Sequence, residues 1–202
     1  MKIVLASSNK GKAKEIQGYI AKTGLDIELV TQTTLGIASA PETGTTFVEN
    51  ALIKARHASA CSGLPALADD SGLVVDCLNG EPGVYSARYS GDSPDFRQHM
   101  NKLIQHIQAL PSTPKPSLTA RFISLIVFLK NPMDSTPLIC EGQWEGEITL
   151  EPKGSNGFGY DPVFYVPSEG CTAAQLSNER KNQISHRAIA LQKLSQLLPI
   201  HG

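Results

Sequence analysis

Two stretches, residues 119–130 and 137–150, constrain the fold most. Both are long and rich in β-branched residues, and a short turn over residues 133–137 separates them. Two such strands form a large antiparallel hairpin, because a parallel pair needs a crossover of a dozen or more residues. The hairpin breaks a rhythm set up earlier in the chain. Residues 2–6 read as a buried strand, 10–21 as a helix, 26–31 as a second strand and 45–60 as a second helix. Residues 66–68 and 73–75 are short apolar runs around an acidic turn, and 94–110 read as a helix. Residues 111–116 hold three prolines and form a linker. Residues 185–198 close the chain as an amphipathic helix with Ile184, Ala188, Leu191, Leu194 and Leu198 inward.

A purely doubly wound sheet would keep the strand–helix–strand rhythm to the end, so it is the weaker alternative. The expected fold class is α/β: one domain over residues 1–202, with a mixed elongated sheet running through two lobes. Helices flank the sheet and the active-site cleft is central. A chain of 202 residues is long enough for one such domain.

Charge and cysteine usage bound the function. Eighteen basic residues against nineteen acidic ones disfavour a protein that coats nucleic acid, which needs a basic excess. They do not disfavour a pocket for one nucleotide. No run of about 18 apolar residues occurs, so no membrane span is expected. The four cysteines form no C-x-x-C pair, and the histidines form no metal-binding spacing. Free thiols and the lack of a signal-peptide core point to the cytoplasm.

Five stretches can carry chemistry. Ser7, Ser8, Asn9, Lys10, Gly11 and Lys12 lie between a strand and a helix, where backbone N–H groups and the helix dipole meet an anion. The stretch is not a P-loop, because Ala6 and Ala13 stand where that motif needs Gly and Ser or Thr. An ordinary polar turn is the alternative. Asp69 and Asp70 precede Ser71 and Gly72. Strand alternation sends the two carboxylates to opposite sides, and one at a strand end suits magnesium. A plain Asx turn explains the same residues structurally. Glu42, Thr43 and Gly44 are followed by Glu49, and then by Asn50 and Lys54 on one helix face. A solvated helix face is the bland alternative there.

Gly157, Phe158, Gly159, Tyr160 and Asp161 suit a ledge for a flat ring, although Phe158 and Tyr160 also suit a core. Finally, His186 and Arg187 sit off the apolar stripe in the first turn of the last helix, with Lys181 shortly before. Positive charge there opposes the dipole, which asks for a functional reason or a carboxylate partner.

Together these stretches resemble the inosine triphosphate pyrophosphatase family, in its bacterial XTP/dITP diphosphatase branch. The resemblance runs from Ile3 to about Leu197 and includes the run Gly83, Val84, Tyr85, Ser86, Ala87, Arg88, Tyr89, Ser90, Gly91. It implies a homodimeric, magnesium-dependent enzyme that cuts ITP, dITP or XTP between the α and β phosphates. By motif position it implies Asp70 as the catalytic aspartate and Glu42 as the metal-site glutamate, with Asp70 also a metal ligand. Ser7 to Lys12 match the triphosphate loop, Lys54 a further phosphate contact and Ser71 a substrate contact. Phe158, Gly159, Tyr160, Asp161, Lys181, His186 and Arg187 match the base-recognition set. Ser7 and Ser8 depart from the Thr and Gly of many bacterial members. The division of base and metal-ligand roles between Asp69 and Asp70 stays open. A pyrophosphatase of modified pyrimidine nucleotides and a non-catalytic nucleotide-binding module are the competing readings. The partners implied are small nucleoside triphosphates, with neither nucleic acid nor membrane.

Overall fold

The computed structural model describes residues 1–91, 95–113 and 116–198. Pro94, and Pro114 and Lys115 of the proline-rich linker, lie outside them. The elements are β1 (Lys2–Leu5), α1 (Lys10–Ile20), β2 (Glu28–Thr31), α2 (Phe47–Ser62), β3 (Ala66–Val75) and α3 (Phe96–Gln108). They continue with β4 (Thr119–Leu129), β5 (Leu138–Ile148), β6 (Phe164–Val166), β7 (Cys171–Thr172), α4 (Asn178–Ile184) and α5 (His186–Leu197). The sheet has seven strands in the order β2-β1-β3-β4-β5-β6-β7. β1 pairs in parallel with β2 and β3, while β6 pairs antiparallel with β5 and β7. The sheet is therefore mixed, as the hairpin required.

The chain falls into two compact units. Among the described residues, the first holds 1–70, 124–142 and 186–198, and the second holds 71–91, 95–113, 116–123 and 143–185. In the first, β1 is covered on both faces, which is why its sequence is continuously apolar. Ile3 and Leu5 pack with Ile16 and Ile20 of α1 and with Leu191 and Leu194 of α5. Val4 and Ala6 pack with Ala51, Ala55 and Ala58 of α2. The small alanines let α2 approach the sheet closely. Gly142 of β5 does the same for α5: a Cβ there would lie 1.9 Å from the His186 carbonyl oxygen.

In the second unit an aromatic cluster forms the core. The Phe122 and Trp144 rings lie 4.6 and 5.2 Å from that of Phe164. The run from Gly83 forms a 3-10 turn over Gly83–Arg88. It is tied to β3 by Ser86, whose hydroxyl accepts from the Leu73 amide at 2.9 Å and donates to the Gly83 carbonyl at 2.6 Å.

One expectation is corrected. Residues 66–75 are a single strand, not two apolar runs around an acidic turn. Asp69 and Asp70 sit in its middle. Strand backbone tolerates two buried carboxylates there because each finds its own cations.

Candidate active site

Asp69 and Asp70 alternate along β3 and so meet different partners. Asp69 is 1% exposed. Its Oδ2 lies 3.0 Å from Lys12 Nζ and 3.2 Å from Arg187 Nη2. Its Oδ1 accepts from the Ser124 hydroxyl at 2.5 Å. Burial alone would raise its pKa, but Arg187, Lys12 and the Ser124 hydroxyl outweigh burial and hold it well below the usual carboxylate range. The Arg187 guanidinium also bonds Glu15 of α1. Two buried cations thus face two carboxylates, which is how such charges survive inside a fold.

Asp70 instead meets α2. Lys54 Nζ lies 2.5 Å from Asp70 Oδ1, 3.1 Å from Glu42 Oε1 and 2.8 Å from the Asp69 carbonyl oxygen. Burial pushes Asp70 above its ordinary value, with Lys54 and Lys12 working against it. Burial also disfavours a charged Lys54, but Asp70 and Glu42 outweigh it and raise its value. Lys12 has less compensation: burial lowers its value despite Asp69, helped by Lys54 and Arg187. Adjacent carboxylates therefore differ sharply. Asp69 stays ionised and enclosed, while Asp70 is the more basic of the two.

The local sequence explains how Glu42 is delivered. Thr46 caps α2 by accepting from the Glu49 amide at 3.3 Å, and Glu49 accepts in return from the Thr46 amide at 2.9 Å. Glu49 is thus committed to the cap. Asn50 holds the loop before it, its Oδ1 accepting from the Gly44 amide at 2.8 Å. A side chain on Gly44 would meet Glu49 Cβ at 2.6 Å, so the loop can pack there only as glycine. One turn later on α2 stands Lys54.

The loop from Ser7 to Lys12 opens α1. Asn9 is its cap, its Oδ1 accepting from the Lys12 amide at 3.1 Å, and the Ser7 hydroxyl accepts from the Asn9 amide at 3.3 Å. A cavity of about 280 Å³ borders the loop, lined by Ser7, Ser8, Asn9 and Lys10 among others. Lys14, Gln17, Thr31 and Thr33 add to its polar wall.

In the second unit, Asp161 organises the turn at residues 157–161. Its Oδ2 accepts from the Phe158 amide at 2.8 Å and from Lys181 Nζ at 2.6 Å. Gly157 has φ 73° and Gly159 φ 68°, and a Cβ at Gly157 would lie 2.0 Å from Asp161 Oδ2. Lys181 Nζ stands 4.8 Å from the Phe158 ring centroid. Tyr160 is different. It is buried, and its hydroxyl donates to the Ser86 carbonyl at 2.9 Å, so it is a packing residue of this turn. Ser71 follows Asp70 directly in β3.

His186 and Arg187 begin α5 and are both buried, although they lie off its apolar stripe. For Arg187 the reason is a pair of carboxylate partners. Ser124 and Glu15 were not singled out from sequence. Ser124 is legible only as a hydroxyl in an otherwise apolar strand, and Glu15 as one polar residue among several on α1.

Known proteins resemble this chain over nearly its full length. It is 52% identical over 197 residues to a protein of Shigella flexneri named dITP/XTP pyrophosphatase, with 98% of each chain covered. It is 51% identical, with the same coverage, to the Escherichia coli K12 protein of that name. The fold matches a HAM1 protein from Coxiella burnetii with TM-score 0.89 at 47% identity, covering 98% of both chains. It matches the Staphylococcus aureus Ham1 protein with TM-score 0.83 at 37% identity. The Ham1 family profile spans residues 3–197, which takes in Lys12, Lys54, the Asp69–Asp70 pair and Arg187, and the chain belongs to the Ham1 family.

Proposed function

We propose that this protein is a nucleoside triphosphate pyrophosphohydrolase. It cleaves ITP, dITP and XTP to the nucleoside monophosphate and pyrophosphate, and so clears nonstandard purine nucleotides from the pool. The observation that carries this is Lys54 Nζ between Asp70 and Glu42, with Lys12 close by on Asp69. It gathers carboxylates and cations in the proportion that a triphosphate and its metal require. Full-length relatives named for dITP and XTP support the substrate class.

Water attacks the α-phosphorus, the bond from that phosphorus to the bridging oxygen breaks, and pyrophosphate leaves. Asp70 takes the proton from the attacking water, a role its raised basicity suits. Phosphoryl transfer depends mainly on positioning and on charge placed where charge develops. Ser7 to Lys12 bind the phosphates through the capped start of α1, and Ser71 contacts substrate. Lys54 adds a further phosphate contact.

Glu42 and Asp70 would hold magnesium. Both are hard oxygen donors, already drawn to one cation, and Mg²⁺ takes one or two carboxylates together with phosphate oxygens and water. When bound, the ion offsets negative charge on the phosphates.

Phe158, Gly159, Asp161, Lys181, His186 and Arg187 are assigned to base recognition, and Tyr160 supports the turn at residues 157–161 from the core. Lysine and arginine are pure donors, and they match the 6-oxo acceptor of hypoxanthine and xanthine. An adenine amino group would leave such a donor unmatched in a desolvated pocket. The anchoring of Lys181 by Asp161, and of Arg187 by Asp69 and Glu15, holds these donors in fixed directions. The enzyme works as a homodimer in the cytoplasm. Four free cysteines fit a reducing compartment.

The test is pyrophosphate release from ITP, dITP, XTP, GTP, ATP and dUTP, with and without Mg²⁺. Metal-dependent release confined to the first three is expected. Preference for dUTP would favour the pyrimidine reading, and no release from any would favour a binding module.

A further inference from the structure

We propose that the Lys54 ammonium is the resident cation of the Glu42–Asp70 pair, and that a divalent metal binds there by displacing it. The inference rests on the reading of Glu42 and Asp70 as metal carboxylates. It adds a second role to Lys54 and a coupling between metal and phosphate.

An ammonium has three N–H donors. Lys54 Nζ has three oxygens within bonding distance: Asp70 Oδ1 at 2.5 Å, Asp69 O at 2.8 Å and Glu42 Oε1 at 3.1 Å. All three donors are spent inside the protein, so Lys54 in this arrangement has none left for a phosphate. A phosphate contact requires it to give up at least one partner. A metal ion held by Glu42 and Asp70 would compete with the ammonium for two of the three. A divalent ion and an ammonium crowded on the same two carboxylates repel each other. Lysine can yield where a fixed group could not, because its charge rides on a flexible four-carbon stem.

The two binding events are then linked. Metal arrival releases the ammonium from Glu42 and Asp70, and the released ammonium becomes available to the triphosphate. Before that, Lys54 keeps two like-charged carboxylates together. Lys54 thus acts on metal binding as an internal competitor.

The experiment measures Mn²⁺ binding by calorimetry on the full-length, chelator-stripped protein with no nucleotide present. Lys54→Met keeps the length of the side chain and removes the charge. Lys54→Gln serves if the first variant does not fold by circular dichroism. The expected result is that the variant binds Mn²⁺ tighter than wild type by about tenfold or more, equivalent to about 1.4 kcal/mol. Mn²⁺ should also raise its melting temperature more than that of wild type. Glu42→Gln, alone and combined with Lys54→Met, should lose the binding. Equal or weaker Mn²⁺ binding by the folded Lys54 variant overturns the exchange, as it would if the metal used the other carboxylate oxygens and left Lys54 in place. If Glu42→Gln then still loses Mn²⁺, the metal-site reading stands without the exchange. If Glu42→Gln and Asp70→Asn both bind like wild type, the metal-site reading fails and the exchange fails with it.

Discussion

Replacing Asp69 and Asp70 one at a time by asparagine should separate fold from chemistry at adjacent positions. Asp69→Asn removes one charge that Lys12 and Arg187 share at 3.0 and 3.2 Å. It leaves two buried cations short of a counter-charge. Breaking a buried pair on one side costs about 3–5 kcal/mol. For a chain of this size each kcal/mol moves the melting temperature by about 2–4 °C, so a fall of about 6–20 °C is expected. Asp70→Asn has a different ledger. Folding pushes Asp70 upward, so the fold works against its charge, and an amide removes that conflict. Lys54 still keeps Glu42 Oε1 and the Asp69 carbonyl. Its melting temperature should stay close to wild type. Its turnover of ITP at saturating Mg²⁺ should fall by at least the 10²–10⁴-fold typical of a lost general base, taken as an order of magnitude, roughly. Thermal circular dichroism at pH 7 and pyrophosphate release below the lower melting point give both numbers. The reasoning fails if Asp69→Asn melts like wild type, or if Asp70→Asn loses as much stability as Asp69→Asn.

Arg187→Lys keeps the charge but loses the planar fork. It should narrow the kcat/KM preference for ITP over ATP, and an unchanged ratio would contradict a base-reading role. Gly142→Ala should destabilise by about 1–3 kcal/mol or more, since its Cβ would lie 1.9 Å from the His186 carbonyl oxygen and would push α5 off β5. Chemical denaturation measures the loss. Asp134 is held below its ordinary value first by the Lys130 amide and then by the Thr136 amide and hydroxyl. Its depressed value means that its contribution is complete above the unfolded carboxyl value of about 3.9, and is lost as pH falls through the folded one. The melting-temperature gap between wild type and Asp134→Ala should therefore be widest near neutrality and shrink in acid.

Local pattern carried most of the fold. The buried strand at residues 2–6, the four helices from α1 to α3 and α5, and the hairpin of β4 and β5 all lie within a few residues of their expected places. β6 and β7 are three and two residues long, too short for periodicity to register. The turn expected at Asp69 and Asp70 gives way to a continuous strand for a physical reason. A window around Asp69 shows two charges interrupting apolar residues, which locally means a turn. The strand persists because Ser124 and Arg187 supply partners 55 and 118 residues away. The same distance hid Ser124 and Glu15, whose importance lies in whom they touch. Tyr160 shows the opposite failure. Its place directly after Gly159 suggests an open ledge, yet its hydroxyl is spent on the Ser86 carbonyl. The family resemblance rather than pattern assigned roles to Glu42, Lys54 and Asp70, and the geometry is what makes those roles chemically coherent.

The Asp69–Arg187 pair also imposes an order in time. The ribosome makes Asp69 118 residues before the arginine that neutralises it. At about 5–20 residues per second that gap lasts roughly 6–24 s. Until α5 emerges, the strand bearing both carboxylates lacks one of its principal counter-ions, and Glu15 lacks the arginine that it binds. Translation that stops short of α5 therefore yields a product in which Asp69 keeps Lys12 and Ser124 but both it and Glu15 go without Arg187.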